Sequence, residues 1–173
     1  QQKWANSADL GVTMDYSITD NLSVDMQVLN GEGYKKVQSS DGILRSGTGV
    51  TVKILDNVSC RVFRDNIPTS EDSLNQQTIT SGAIIYQKNN CNIGIEKSIM
   101  ENANHISNGI NNEIISIYGS MDLGEYTVFL RRDIISNDDD LVIHSGDGTF
   151  QIFGIERQMT KGIKASLNVQ SWQ

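Results

Sequence analysis

His144-Ser145 pairs an imidazole with a hydroxyl, the make-up of a base and its nucleophile. Such a pair works only when both groups reach the same point in space. Adjacent residues of an extended chain point to opposite faces, so this adjacency argues against a hydrolase. Asp138-Asp139-Asp140, with Asp147 beyond, supplies oxygen ligands of the kind Ca²⁺ takes. The spacing matches no EF-hand loop, and a solvated acidic loop is the plainer reading. His105 and His144 stand in separate polar stretches. No ligand spacing joins them to Cys60 or Cys91, so neither a zinc centre nor any other cofactor is predicted. Gly146-Asp147-Gly148 has the glycines of a phosphate cradle, but no helix follows to add its positive N-terminus. What remains is charge spaced along the chain between apolar residues: Asp15, Asp25, Lys53, Arg61, Glu96, Asp122, Arg131 and Lys164.

The elements that must carry those charges have a period of two. Leu10, Val12, Met14, Tyr16 and Ile18 alternate with Asp9, Gly11, Thr13, Asp15 and Ser17. A three-residue turn, Thr19-Asp20-Asn21, is predicted next. Leu22, Val24, Met26 and Val28 then resume the apolar series. Two alternating runs joined by Asp-Asn predict a β-hairpin with one apolar and one polar face. Each arm is about the ~9–11 residues that a tilted strand needs to cross a bilayer.

Four more hairpins follow. Val50, Val52 and Ile54 turn at Asp56-Asn57 into Val58, Cys60 and Val62. Thr78–Gln87 turns at Asn89-Asn90 into Cys91, Ile93, Ile95 and Ile99. Its facing is ambiguous, because Ala83-Ile84-Ile85-Tyr86 is continuously apolar. Ile115, Ile117, Met121 and Leu123 turn at Gly124-Glu125 into Tyr126, Val128 and Leu130. Thr149–Arg157, also ambiguous, turns through Gln158–Lys161 into Ile163, Ala165, Leu167 and Val169. Between the hairpins lie long polar stretches, among them Asp65–Asn75, Glu101–Asn111 and Asp133–Asp147. Lys97 interrupts an apolar face and is expected near a rim, where its long stem can snorkel. Glu32-Gly33-Tyr34 reads as a bend at a strand end.

The expected fold is therefore all-β: an antiparallel up-and-down meander barrel of about ten strands, one domain over residues 1–173, with short turns on one side and long loops on the other. Strict alternation of short and long connections is the habit of outer-membrane barrels. A soluble lipocalin-like barrel shares the hairpins without that rule. Tyr16, Tyr86 and Tyr126 lie near short turns, and Phe63, Phe129 and Trp172 near the opposite ends. They are expected to form two interfacial bands or to pack ordinary barrel ends. Net charge of −7 argues against a nucleic-acid partner. One proline and 15 glycines suit many strands with Gly and Asn in the turns. No run of ~18 apolar residues predicts a membrane helix. No signal peptide opens the chain at Gln1-Gln2-Lys3: an exported protein would already have lost one, or the chain is an excerpt of a longer one. Cys60 and Cys91 are read as small hydrophobes on the apolar face.

Several segments, taken in order, resemble a known family. They are Ser7-Ala8-Asp9-Leu10-Gly11, Asn30-Gly31-Glu32-Gly33-Tyr34, then Asp147-Gly148, Gly154-Ile155-Glu156, Lys161-Gly162-Ile163-Lys164 and Leu167-Asn168. They resemble the porin-like outer-membrane barrels of Bacteroidota, grouped with the phosphate-selective porins. The resemblance implies a Gram-negative outer-membrane location, passive transport of small solutes or ions, and no catalysis. It also implies that these segments belong to the later half of a longer chain, so that the chain is a fragment of a larger barrel. A ten-stranded barrel closed on itself is the alternative. The inward charges are of mixed sign, whereas phosphate selectivity needs convergent Arg or Lys. That selectivity is therefore not expected.

On this reading Asp15, Asp25, Lys53, Arg61, Glu96, Asp122, Arg131 and Lys164 face the lumen. Leu10, Val12, Met14, Val24, Met26, Val52, Val62, Ile93, Ile117, Val128 and Leu167 face outer-membrane lipid. Arg61 and Arg131 either tune selectivity or fill the interior as ion pairs with Asp15, Asp25 or Glu96. A homo-oligomer is left open. The competing function is a soluble exported barrel that binds a small apolar ligand, in which the same aliphatic residues would fill the interior.

Overall fold

The computed structural model describes residues 10–30, 44–69, 76–103, 111–137 and 147–173. The His144-Ser145 pair, His105, Asp138-Asp139-Asp140, Gly146 and Glu32-Gly33-Tyr34 lie outside the described residues. Ten strands follow one another: β1 (Gly11–Thr19), β2 (Leu22–Leu29), β3 (Arg45–Leu55), β4 (Val58–Ile67), β5 (Gln77–Lys88), β6 (Cys91–Glu101), β7 (Asn112–Leu123), β8 (Tyr126–Asn137), β9 (Gly148–Thr160) and β10 (Ile163–Trp172). Each pairs antiparallel with the next, in one sheet of order β1 to β10. The sheet is open: β1 and β10 are its two edges, and every residue of both strands is exposed.

Register carries one face across the whole sheet. Val24 stands opposite Tyr16 and Val50, Val50 opposite Val62, and Ile95 opposite Ile84 and Ile117. Val128 continues the row to Ile155, and Ile155 to Leu167. The aliphatic series therefore forms one face and the polar series the other. The two ambiguous strands resolve the same way. Ile84 and Tyr86 lie on the apolar face with Ala83 and Ile85 behind them. Phe153 and Ile155 lie on it with Phe150 and Ile152 behind.

The sheet curves with its polar face inside. All strand residues that are buried among those described, such as Asp65, Ser98, Ser116 and Asp133, lie on that polar face. Side chains crowd on the concave side of a curved sheet and splay on the convex side. Leu10, Val12, Met14, Ile93 and Leu167 are accordingly all exposed. A ligand-binding barrel needs the opposite arrangement, with these aliphatics filling the interior. That alternative is not the arrangement found here.

The short turns differ from expectation in one instructive way. The first is two residues, Asp20-Asn21, with Thr19 opposite Leu22 and a register shift between Ser17 and Thr19. The same shift occurs before the turn at Leu55 and in β9 opposite Lys164. Each bulge leaves one extra large apolar residue on the strand, Ile18, Ile54 or Met159, all exposed. A bulge also raises local twist. Asn89 and Gly124 take positive φ of 51° and 70° at the first turn position, where hairpin turns require it. The last strand pair turns later than expected, at Lys161-Gly162, with Gly162 at φ 83°.

Three expectations need correction. The strands run further toward the loops than alternation suggests: Asp65 and Asp133 lie within β4 and β8, not in loops. Lys97 is not at a rim but in the middle of β6, bonded to Glu113 of β7 at 2.9 Å. The second aromatic band does not form. Phe63, Phe129 and Trp172 lie on the polar face, beside Gly49, Gly154 and Phe150 in register.

Rings on the concave face lie over glycines of the next strand. Tyr118 covers Gly94, and Phe129 covers Gly154; a Cβ at either glycine would collide with the ring. The flat ring needs the missing side chain. Gly82, on the apolar face, has nothing within 4 Å of where a Cβ would be. Gly94→Val should therefore destabilise the sheet by about 1–3 kcal/mol through overpacking. Gly82→Val should leave stability nearly unchanged, as read by urea unfolding of the refolded protein in detergent.

Candidate functional site

The concave face is a wall of charge. Register brings Asp15, Asp25, Glu96 and Asp122 onto it, with Lys53, Arg61, Arg131 and Lys164. Four residues that alternation did not single out join them: Arg45, Asp65, Asp133 and Glu156. Among the described residues that face therefore holds seven carboxylates and five cations.

Most of this charge is paired, and half of it is paired across strands. Arg61 of β4 reaches over β3 to Asp25 of β2 as a two-pronged bond, Nη1 to Oδ2 at 2.5 Å and Nη2 to Oδ1 at 2.8 Å. Nη1 also donates to Thr51 Oγ1 at 3.2 Å, and the guanidinium lies 5.4 Å from the centre of the Phe63 ring. Such forked pairs are among the strongest charge-assisted bonds. The partner is Asp25, rather than Asp15 or Glu96.

The pair can cross β3 only because of what lies beneath it. Gly49 stands directly opposite Asp25. A Cβ there would come within 2.5 Å of Asp25 Oδ2 and 2.6 Å of Arg61 Nη2. Gly47 is overlain in the same way by Gln27 and Phe63. The spacing Gly47-Thr48-Gly49 is thus the sequence signal for this site. It is visible in the chain but has no meaning until β2, β3 and β4 are laid side by side.

The other pairs are shorter in reach. Arg45 Nε donates to Asp65 Oδ2 at 2.8 Å, and its Nη2 bonds the same oxygen. Asp65 is 1% exposed, the most buried side chain among the described residues. Arg131 pairs with none of the three expected carboxylates: its Nε donates to both oxygens of Asp133, two residues on in the same strand, at 2.8 and 3.0 Å, and its Nη2 donates to Ser116 Oγ at 3.3 Å. Lys164 Nζ meets Glu156 at 2.6 Å near the β10 edge. Asp122 accepts from Thr127 Oγ1 at 2.6 Å, and Glu96 from Ser98 Oγ at 2.9 Å. Beside the Arg61–Asp25 pair is a recess of about 250 Å³, lined by Asp25, Gln27, Arg61, Phe63, Ser81 and Glu96, with Ala83.

No three His, Cys, Asp or Glu side chains among the described residues stand where they would hold a metal. Cys60 and Cys91 are free, half-buried thiols on the apolar face. What the wall offers is polar groups, paired charges and a few carboxylates. Water and small hydrophilic solutes can exchange hydrogen bonds along such a surface.

Solved structures share this architecture. A porin refined at 1.8 Å resolution superposes with a TM-score of 0.75 at 13% identity, over 94% of this chain and 56% of the porin. Two mutants of the Rh. blastica porin superpose with TM-scores of 0.60 and 0.59, both at 21% identity, over 93% of this chain and 49% of each porin. This chain thus spans about half the length of the porins it matches. The likeness is one of fold. No protein family matches the sequence, and no curated protein does.

Removing one partner of a buried pair strands the other. Arg45→Met should cost about 3 kcal/mol, within the range for breaking such a pair, because Asp65 cannot reach water. Arg45→Met combined with Asp65→Leu should cost clearly less than the single change. Denaturant midpoints of the three proteins in one detergent check both expectations.

Proposed function

We propose that these ten strands are part of the wall of a closed β-barrel in the outer membrane of a Gram-negative bacterium. Through it small hydrophilic solutes or ions diffuse passively, without catalysis. The observation that carries this is the division of the sheet: aliphatic side chains splay on the convex face, and charged, largely paired side chains crowd the concave one. Hydrocarbon favours the first surface and water the second.

Closure follows from the edges. β1 and β10 each leave a row of backbone N–H and C=O groups without strand partners. Hydrocarbon cannot satisfy such groups, and each would cost several kcal/mol there. Further strands of the same protein, closing a barrel larger than ten strands, satisfy both edges. The share of the solved porins that this chain spans supports that reading. The ordered segments from Ser7 to Asn168 support kinship with the porin-like barrels of Bacteroidota. Mixed wall charge gives no support to phosphate selectivity, and two more carboxylates than cations favour cations instead.

The full gene product in planar bilayers should conduct in discrete steps, with a mild preference for cations. Arg61→Glu should raise that preference several-fold, since one unit charge at 4 Å acts with about 1 kcal/mol even in water. Conductance no greater than that of a bare bilayer would remove the pore.

A further inference from the structure

The concave wall dips along β5. The mid-strand residues that β5 turns to that face are Ser81 and Ala83, both small. In register, Arg61 and Phe63 of β4 stand on one side of them, and Glu96 and Ser98 of β6 on the other. Two strand spacings of ~4.8 Å set these flanks about 10 Å apart. The trough between them is the recess of about 250 Å³ beside the Arg61–Asp25 pair. At ~30 Å³ per water it holds roughly eight water molecules, or a solute of about that many non-hydrogen atoms.

The hydroxyls of this trough send their protons one way. Ser98, 8% exposed, donates from Oγ to Glu96 Oε1 at 2.9 Å. A serine has a single hydroxyl proton, so at the 2.7 Å contact between Ser81 Oγ and Ser98 Oγ it is Ser81 that donates. The chain runs from Ser81 to Ser98 to Glu96, and each bond polarises the next toward the carboxylate. Ser81 is left with lone pairs to offer and no proton. Glu96 is left with its second oxygen, and none of the ion pairs among the described residues includes it. Across the trough Arg61 directs three of its five N–H groups to Asp25 and Thr51.

Sign and hydrogen-bonding character agree on the occupant. The lining carries two carboxylates, Asp25 and Glu96, against one guanidinium. An anion would be repelled by both carboxylates and would reach only the N–H groups that Arg61 has left. A bare metal ion needs several oxygens at once. No three acidic, His or Cys side chains among the described residues converge to supply them. An organic cation with N–H donors suits the acceptors that are open. An ammonium carries three donors on one atom, enough for Glu96 and Ser81 together. Ala83 and the Phe63 ring offer an apolar surface to a short alkyl stem.

We infer that this recess is a binding site for small primary ammonium cations with a short apolar stem, held by Glu96 and Ser81 over Ala83. The inference names a solute class for the passive channel proposed above, and it rests on that reading for access from water.

The full gene product in detergent, titrated with n-pentylammonium at fixed ionic strength, should show saturable binding by saturation-transfer NMR. Glu96→Gln keeps the bond from Ser98 and removes the charge. It should weaken binding about tenfold, the scale of one hydrogen bond to a charged group. Asp122→Asn removes the same charge elsewhere on the wall and should leave binding unchanged. Ala83→Leu fills the trough and should abolish binding, with the strand signal in circular dichroism unchanged. If that variant does not fold, Glu96→Gln against Asp122→Asn decides the matter. Tetramethylammonium has the charge without N–H groups, and pentan-1-ol has the stem without the charge; both should bind far more weakly. No saturable binding to the folded protein, equal binding of tetramethylammonium or pentan-1-ol, or equal losses from Glu96→Gln and Asp122→Asn would each overturn the site. A protein that conducts but does not bind pentylammonium would refute the site and leave the pore. One that binds it but conducts no better than a bare bilayer would refute the pore and leave the site.

Discussion

A side chain on a β-strand has two directions available, and everything in this sheet follows from how that choice is used. Ten strands pair in an unbroken meander, so one alternation propagates from β1 to β10. A slip of one residue in any ladder would exchange the faces for every strand beyond it. The bulges at Ile18, Ile54 and Met159 are single-residue departures. They are tolerated because each sits beside a short turn, where no further pairing remains to be misplaced.

Curvature then makes the two faces unequal. On the concave side there is less room per residue, and large side chains must be matched to small ones. Tyr118 over Gly94 and Phe129 over Gly154 show the matching for rings, and the Arg61–Asp25 pair over Gly49 shows it for charge. Crowding also excludes water from the deeper groups. That makes a lone charge costly and pairing favourable, which is why Asp65 has Arg45 and Asp133 has Arg131. The convex side has no such constraint. Its bulky aliphatics are exposed and line up across the strands.

Much of this was legible in the chain. Period-two runs, Asp-Asn and Gly-Glu turns, and the alternation of short and long connections were enough for the strand number and order. The strand ends on the loop side were not. There both faces are polar, as around Arg64-Asp65-Asn66 and Arg132-Asp133, so alternation fades although the ladder continues. Alternation alone accordingly leaves Asp65 and Asp133 in loops. Lys97 is misplaced for a different reason: it interrupts an apolar face, and its partner Glu113 lies sixteen positions away on another strand.

By itself the sequence determined which residues share a face, because that depends only on parity along a strand. It could not determine which face is concave, which charges meet, or why glycines stand at positions 47, 49, 94 and 154. Those depend on distances between residues far apart in the chain, which exist only after neighbouring strands are in register and the sheet has curved. Thirty-six positions separate Asp25 from Arg61, and only the folded sheet brings the two together across the backbone of Gly49.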